Sequence, residues 1–147
     1  MIEPVSKNNL EEILPLIRLY QEFYKMTNIS EDKNRNFFSQ FGESNPSGCQ
    51  FLFRQNGKVV GFSTVYFFYA STIAEKVGVL NDLYTLPSNR GQGVGRQLIE
   101  QAYKYAYSHG AARLQWGTAM DNTKAQNLYD SMGARKYASY LYMYNAS

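Results

Sequence analysis

A single α/β domain built on a mixed sheet is what this sequence predicts, with antiparallel strands first and a parallel strand–helix–strand unit after them. Three observations carry that expectation. Two strand-like runs, 50–54 and 58–69, flank Asn56-Gly57, the dipeptide suited to a two-residue hairpin because both central positions of a type I′ turn need positive φ. An apolar run over 77–86 passes through a glycine-rich junction into a helical pattern over 94–109 and returns as a strand over 114–117. Such a crossover is nearly always right-handed and parallel, so the sheet is mixed. Size agrees: 147 residues with 44% apolar and 18% charged content suit one folded core spanning 1–147 rather than two domains or a disordered chain.

Taken in order, residues 2–5 suit a short strand. Asn8 or Asn9 with Glu11 or Glu12 three residues on resembles a capping box. Leu10, Ile13, Leu14, Ile17, Tyr20 and Tyr24 then recur at helical spacing through about Met26, which predicts one core-facing stripe. Ser30 followed by Glu31 and Asp32 marks a second helix start, because a hydroxyl caps the first amides and acidic side chains suit the positive end of the helix. Residues 42–48 read as a loop, and the hairpin follows. After the 77–86 strand, Pro87-Ser88-Asn89 ends the run, and Gly110 closes the next helix as a left-handed cap. A fourth helix over 123–132 stops at Gly133. A last β-rich segment completes the chain, with a final strand over 140–144.

Several classes drop out on composition. One cysteine, Cys49, makes neither an internal disulfide nor a cysteine-based zinc site, and with no Cys/His/Asn arrangement in view it reads as an inert thiol. The 15 basic and 12 acidic residues are scattered, whereas a nucleic-acid footprint is a clustered basic face. The start lacks a signal-peptide pattern and no stretch approaches the roughly 18 apolar residues of a membrane span, so neither a membrane nor nucleic acid is an expected partner and the expected compartment is the cytoplasm. His109, at a helix end, reads as a cation complementing the dipole rather than as a base.

The chemistry concentrates in Asn89-Arg90-Gly91-Gln92-Gly93-Val94-Gly95-Arg96. Glycines between strand and helix let a ligand approach the backbone, and the helix's first amides are unsatisfied donors at its positive end, so an anion such as a pyrophosphate is the natural guest. A dinucleotide fingerprint would place Gly or Ala where Arg96 stands, and a Walker A loop would need Gly-Lys-Ser/Thr where Gly95-Arg96-Gln97 stands. Both readings fail.

With Arg90, Gly93 and Gly95 matching an Arg/Gln-x-x-Gly-x-Gly/Ala motif after Leu83-Tyr84-Thr85-Leu86-Pro87, and with Asn122-x-x-Ala125-x-x-x-Tyr129-x-x-x-Gly133 following, the sequence resembles the GNAT superfamily of acyl-CoA-dependent N-acyltransferases. The resemblance implies a splayed central strand and acetyl-CoA as co-substrate, with no metal. It implies that Leu83, Tyr84 and Thr85 pair their backbone with the pantetheine arm, and that Arg90, Gly91, Gln92, Gly93, Val94, Gly95 and Arg96 hold the pyrophosphate. Asn122 and Tyr129 belong to the second cofactor motif. Asn122, Ala125 and Tyr129 share a helical face, and the resemblance gives Tyr129 the role of proton donor to the departing thiolate.

An alkylammonium with a pKa of about 10.4 is over about 99% protonated at neutral pH and cannot attack a thioester, so the amine needs a proton acceptor. Strand alternation puts Leu80, Asp82 and Tyr84 on one face and Asn81 and Leu83 on the other. Asn81-Asp82-Leu83-Tyr84 is similar to the Glu-Asp-Leu-Tyr stretch of the diamine and polyamine acetyltransferase branch, with Asn81 replacing the glutamate. Asp82 is thus the candidate for attracting a cationic amine or relaying its proton, and a structural role for it stands beside that reading. Tyr20 and Tyr24 line the acceptor side by the same resemblance, while their periodicity fits core packing equally. The expected activity is direct acetyl transfer to a primary amine of a polyamine, diamine or amino acid. The alternatives are lysine or N-terminal acetylation of proteins and a non-catalytic CoA-binding sensor. The tyrosine-rich final strand predicts a homodimer through its open edge.

Overall fold

A computed structural model describes residues 1–146, which form two compact units, 1–116 and 117–146. The first holds a five-stranded sheet in the order β1 (Ile2–Pro4), β2 (Gly48–Gln55), β3 (Lys58–Ala70), β4 (Glu75–Thr85) and β5 (Leu114–Gln115). All neighbours are antiparallel except β4 and β5, which run parallel. The mixed sheet of the sequence reading is therefore present, with the chain crossing from β4 to β5 through helix α3 (Val94–Ser108).

The two faces of the sheet are covered by different helices. Leu10, Ile13, Leu14, Leu16 and Ile17 of α1 (Leu10–Phe23) pack with Leu52, Val59, Phe62 and Tyr84 on one face, while Val94 and Leu98 of α3 pack with Phe53 and Val60 on the other. The predicted stripe on α1 is buried as far as Ile17, but the helix ends at Phe23 and Tyr24 is 59% exposed, so the stripe's far end is surface rather than core. Helix α2 (Glu31–Phe38) starts as expected, with Ser30 Oγ accepting from the Lys33 amide at 3.1 Å. At α1 the expected capping box does not form. Asn9 Oδ1 accepts from Ser6 N at 2.7 Å and its Nδ2 donates to Pro4 O and Glu3 Oε1, because the side chain ties β1 to the helix entry instead. Arg54 reinforces that corner by bridging Glu3 at 3.0 Å and Glu12 at 2.8 Å, and its guanidinium holds both carboxyls below the ordinary glutamate range.

The β2–β3 turn has Asn56 at φ 52° and Gly57 at φ 76°, the two positive angles that a type I′ hairpin requires. Packing across the crossover is tight at Gly78, where a β-carbon would lie 2.9 Å from Ala106 Cβ and 3.4 Å from Leu114 Cδ1. Gly78→Val is expected to destabilise the protein by about 1–3 kcal/mol, the usual cost of overpacking, read from the urea midpoint; an unchanged midpoint would mean that α3 is free to move off the sheet.

The second unit is described by itself. Its helix α4 (Thr123–Ser131) is capped by Asn122, whose Oδ1 accepts from Ala125 N at 3.2 Å, and the helix ends before Gly133 at φ 79°. The expected final strand over 140–144 does not form. Residues 134–146 are irregular, and Tyr140, Tyr142 and Tyr144 are fully or almost fully exposed. Among the described residues no helix is long and apolar enough to cross a membrane.

Candidate active site

Strand β4 opens the sheet. Its pairing with β5 covers only Gly78 and Val79, and among the described residues no strand continues beyond that point on the same edge. Its pairing with β3 shifts between Thr64 and Val65: Thr64 faces Asp82 and Val65 faces Leu80, which leaves Asn81 as an extra, bulged residue. A bulge turns the strand and re-aims the side chains that follow it. Gly78 faces Ala106 of α3, so Leu80 lies on that face by alternation, whereas Tyr84 packs in the α1 core and Leu83 against the α3 cluster. The expected common face for Leu80, Asp82 and Tyr84 is thereby corrected. The bulge separates Leu80 from the other two.

Leu86 N–H donates to Val60 O at 2.8 Å, so by the alternation of an antiparallel ladder the backbone groups of Leu83 and Thr85 point to the open edge and those of Tyr84 point to β3. Arg90 folds back over this edge, donating from Nε to Thr85 O at 2.9 Å with its guanidinium 5.5 Å above the Tyr84 ring. Beyond it, Gly91 and Gly93 have φ of 78° and 84°, and no atom within 4 Å meets a β-carbon built on Gly91. Gly93 is the N-cap of α3 and supplies no side-chain cap; the helix's first internal bond is Gln97 N to Gly93 O at 3.1 Å. The amides of Val94, Gly95 and Arg96 therefore start the helix without a capping side chain. This cradle fits a pyrophosphate, because its donors are backbone groups at a positive helix end, with open space at Gly91 and only the flexible end of Gln97 near Gly93.

Asp82 is only 7% exposed. Burial pushes its carboxyl above the ordinary aspartate range, while hydrogen bonds from Thr64, Tyr20 and Asn81 pull the other way. Asn81 Nδ2 donates to Asp82 Oδ1 at 3.1 Å. The Tyr20 hydroxyl reaches Asn81 O at 3.5 Å, and burial together with the neighbouring Asp82 charge raises the Tyr20 and Tyr66 phenols well above their usual range. Tyr20 also stands at the centre of an aromatic wall, with ring centroids 5.1 Å from Tyr24, 5.5 Å from Phe62 and 6.0 Å from Tyr84. The first unit thus assembles a buried carboxylate, a wall of edge-packed aromatics and an open strand edge around the Asn81 bulge.

Asn122 and Tyr129 lie in the second unit, where Asn122 caps α4 and Tyr129 sits half-buried. Two residues without a predicted role join the Asp82 cluster, Gln50 and Thr64, both fully buried. The available signal was a polar residue at an inward position in each apolar strand run. Cys49 is buried, and burial pushes its thiol up to about 12, which suits the inert reading. His109 Nδ1 lies 2.8 Å from Tyr105 O at the end of α3, a structural contact.

Residues 13–134 match the model of the acetyltransferase (GNAT) family. The chain is 30% identical over 132 residues to an uncharacterized N-acetyltransferase of Bacillus subtilis, covering 90% of this chain and 87% of that one. It is 30% identical over 144 residues to thialysine N-epsilon-acetyltransferase of Mus musculus, covering 91% and 83%. A crystal structure of a probable acetyltransferase superposes with a TM-score of 0.85 at 25% identity, covering 100% of this chain and 99% of that one.

Proposed function

The chain belongs to the GNAT family of acetyltransferases, and from that premise we propose that it acetylates a primary amine of a small molecule, a diamine, polyamine or amino acid, by direct attack. The observation that carries this reading is Asp82, a carboxylate held in a largely buried site beside the Tyr20–Tyr24 wall and next to the open edge of β4. Enzymes of this family use acetyl-CoA, which supplies the activated acetyl group when bound. The amides of the 91–96 loop would hold its pyrophosphate, and the outward backbone of Leu83 and Thr85 would pair with its amide-bearing arm in the manner of an added strand. The Leu83 N–H, which points to that open edge, would polarise the thioester carbonyl.

On the acceptor side, Asp82 attracts the ammonium and takes its proton, directly or through water, so that a neutral amine is delivered. A carboxyl lifted above the ordinary aspartate range is a better proton acceptor than a solvated one, while the aromatic wall suits an aliphatic stem. Similarity to a relative named for the Nε of thialysine supports an amine of that kind. Tyr129 is proposed to donate a proton to the departing thiolate, and Asn122 to help hold the cofactor. Cytoplasmic residence and a homodimer complete the proposal; the exposed tyrosines of 140–144 supply apolar surface for the latter, and light scattering at the mass of one chain would reject it.

The test is thiol release from acetyl-CoA over a panel of thialysine, diamines, polyamines, amino acids, aminoglycosides and lysine peptides. Turnover of one free-amine class is expected, with kcat reduced by about a hundredfold in Tyr129→Phe, in the lower range of general-acid effects. Preference for lysine peptides would shift the assignment to protein acetylation. Acetyl-CoA binding without turnover on any amine would make the protein a sensor.

A further inference from the structure

Gln50, Thr64 and Asp82 form one rung across three strands: Gln50 pairs with Thr64 between β2 and β3, and Thr64 pairs with Asp82 between β3 and β4. All three are buried, Gln50 and Thr64 completely. The rung is polar among the mostly apolar buried positions of the sheet, Ser63 beside it being the other buried polar side chain of these strands, and Gln50 Oε1 finds no hydrogen-bond partner among the described residues. Apolar side chains would pack the same rung without leaving an acceptor unsatisfied, so the row is not explained by stability.

The chemistry of the groups fixes its direction. Gln50 Nε2 donates to Thr64 Oγ1 at 3.4 Å. An amide N–H only donates, and a hydroxyl carries one proton, so the Thr64 oxygen is used as an acceptor on the β2 side and its proton is left for Asp82, the residue that Thr64 faces across the β3–β4 ladder. On its other side the carboxylate accepts from Asn81 Nδ2, and the Tyr20 hydroxyl donates to the Asn81 carbonyl beside it. We propose that Gln50 and Thr64 are positioning residues of the active site, a one-way hydrogen-bonded rung that holds the Asp82 carboxylate in the orientation and ionised form in which it receives the amine. The inference rests on the reading of Asp82 as the amine-side carboxylate. The titratable groups recorded against Asp82 are Tyr20 from α1 and Tyr66 from β3; both phenols are raised above their usual range, so neither carries charge in the acid range where the carboxyl titrates.

The experiment titrates the Asp82 carboxyl by carbon NMR in the full chain and, in parallel, records the pH profile of kcat/KM for the best amine. Thr64→Val keeps the shape and removes the donor. It is expected to move the Asp82 midpoint up by about one pH unit, the worth of one hydrogen bond to a charged group. The acid limb of the rate profile should move with it, leaving KM for acetyl-CoA unchanged. Thr64→Ser should restore both. Gln50→Leu, which frees the hydroxyl to turn, should move the midpoint in the same direction by less. A midpoint unmoved in Thr64→Val, or not restored by serine, overturns the rung. If the midpoint moves while the rate profile does not, the rung holds the carboxylate but the amine-side reading fails, and with it the proposed role. Melting curves of the four proteins exclude unfolding as the source of either shift.

Discussion

Asp82→Asn is expected to lower kcat/KM for the amine by about a hundredfold at neutral pH, the scale of a lost proton acceptor, and at the same time to raise the melting temperature. The two effects have one origin. Asp82 lies in a site where burial disfavours its charge and the polar groups of Thr64, Tyr20 and Asn81 only partly compensate. Its folded-state pKa thus exceeds that of an unfolded aspartate. The stabilising contribution of such a group is fully present below its unfolded pKa and is lost as pH rises through its folded pKa. At neutral pH wild type carries the cost of a buried carboxylate, and the neutral amide removes that cost. The gain in melting temperature should therefore shrink as pH falls and Asp82 protonates, while wild-type activity falls along the same titration. Calorimetry and rate profiles over pH 4–8, about the span on which carboxylates and their raised variants titrate, test both. A lower melting temperature in the variant, or unchanged turnover on every amine, would leave Asp82 as an ordinary structural residue.

That conflict between stability and function explains what was legible in the sequence. Asn56-Gly57, Ser30 and the glycine-rich junction act locally, through φ, a cap or a helix start, so a few neighbouring residues suffice to predict their structure. The bulge at Asn81 is a property of two strands: Thr64 and Leu80 must both be placed before the extra residue is visible. The sequence alternation that grouped Leu80 with Asp82 assumed an unbroken pleat. The Gln50–Thr64–Asp82 rung was hidden for the same reason, since its members lie 14 and 18 residues apart and meet only in register. Asn9 shows the reverse limit. Its type was right for a cap, but β1 lies close enough to claim the side chain. The tyrosines at 140–144 alternate as a strand would, yet a strand needs a partner edge, and periodicity alone does not supply one.

Gly93→Val is expected to weaken acetyl-CoA binding by at least about tenfold while leaving kcat at saturating cofactor little changed. Gly93 has φ 84° at the start of α3, a conformation costing a residue with a β-carbon about 1–2 kcal/mol. Relief of that strain would swing the amides of Val94 and Gly95 away from their common direction, and about 1.4 kcal/mol is a tenfold change in affinity. Backbone strain alone also lowers stability, so the comparison is with Gly57→Val. Gly57 has a similar φ of 76° but sits in the β2–β3 hairpin. Both variants should lose a few degrees of melting temperature; only Gly93→Val should raise the calorimetric Kd for acetyl-CoA. Equal affinities in the two variants would mean that the loop's glycines serve the strand-to-helix turn alone, and the anion would have to be held elsewhere. A selective loss would tie the cofactor to the uncapped amides of α3, which no side chain of this loop replaces.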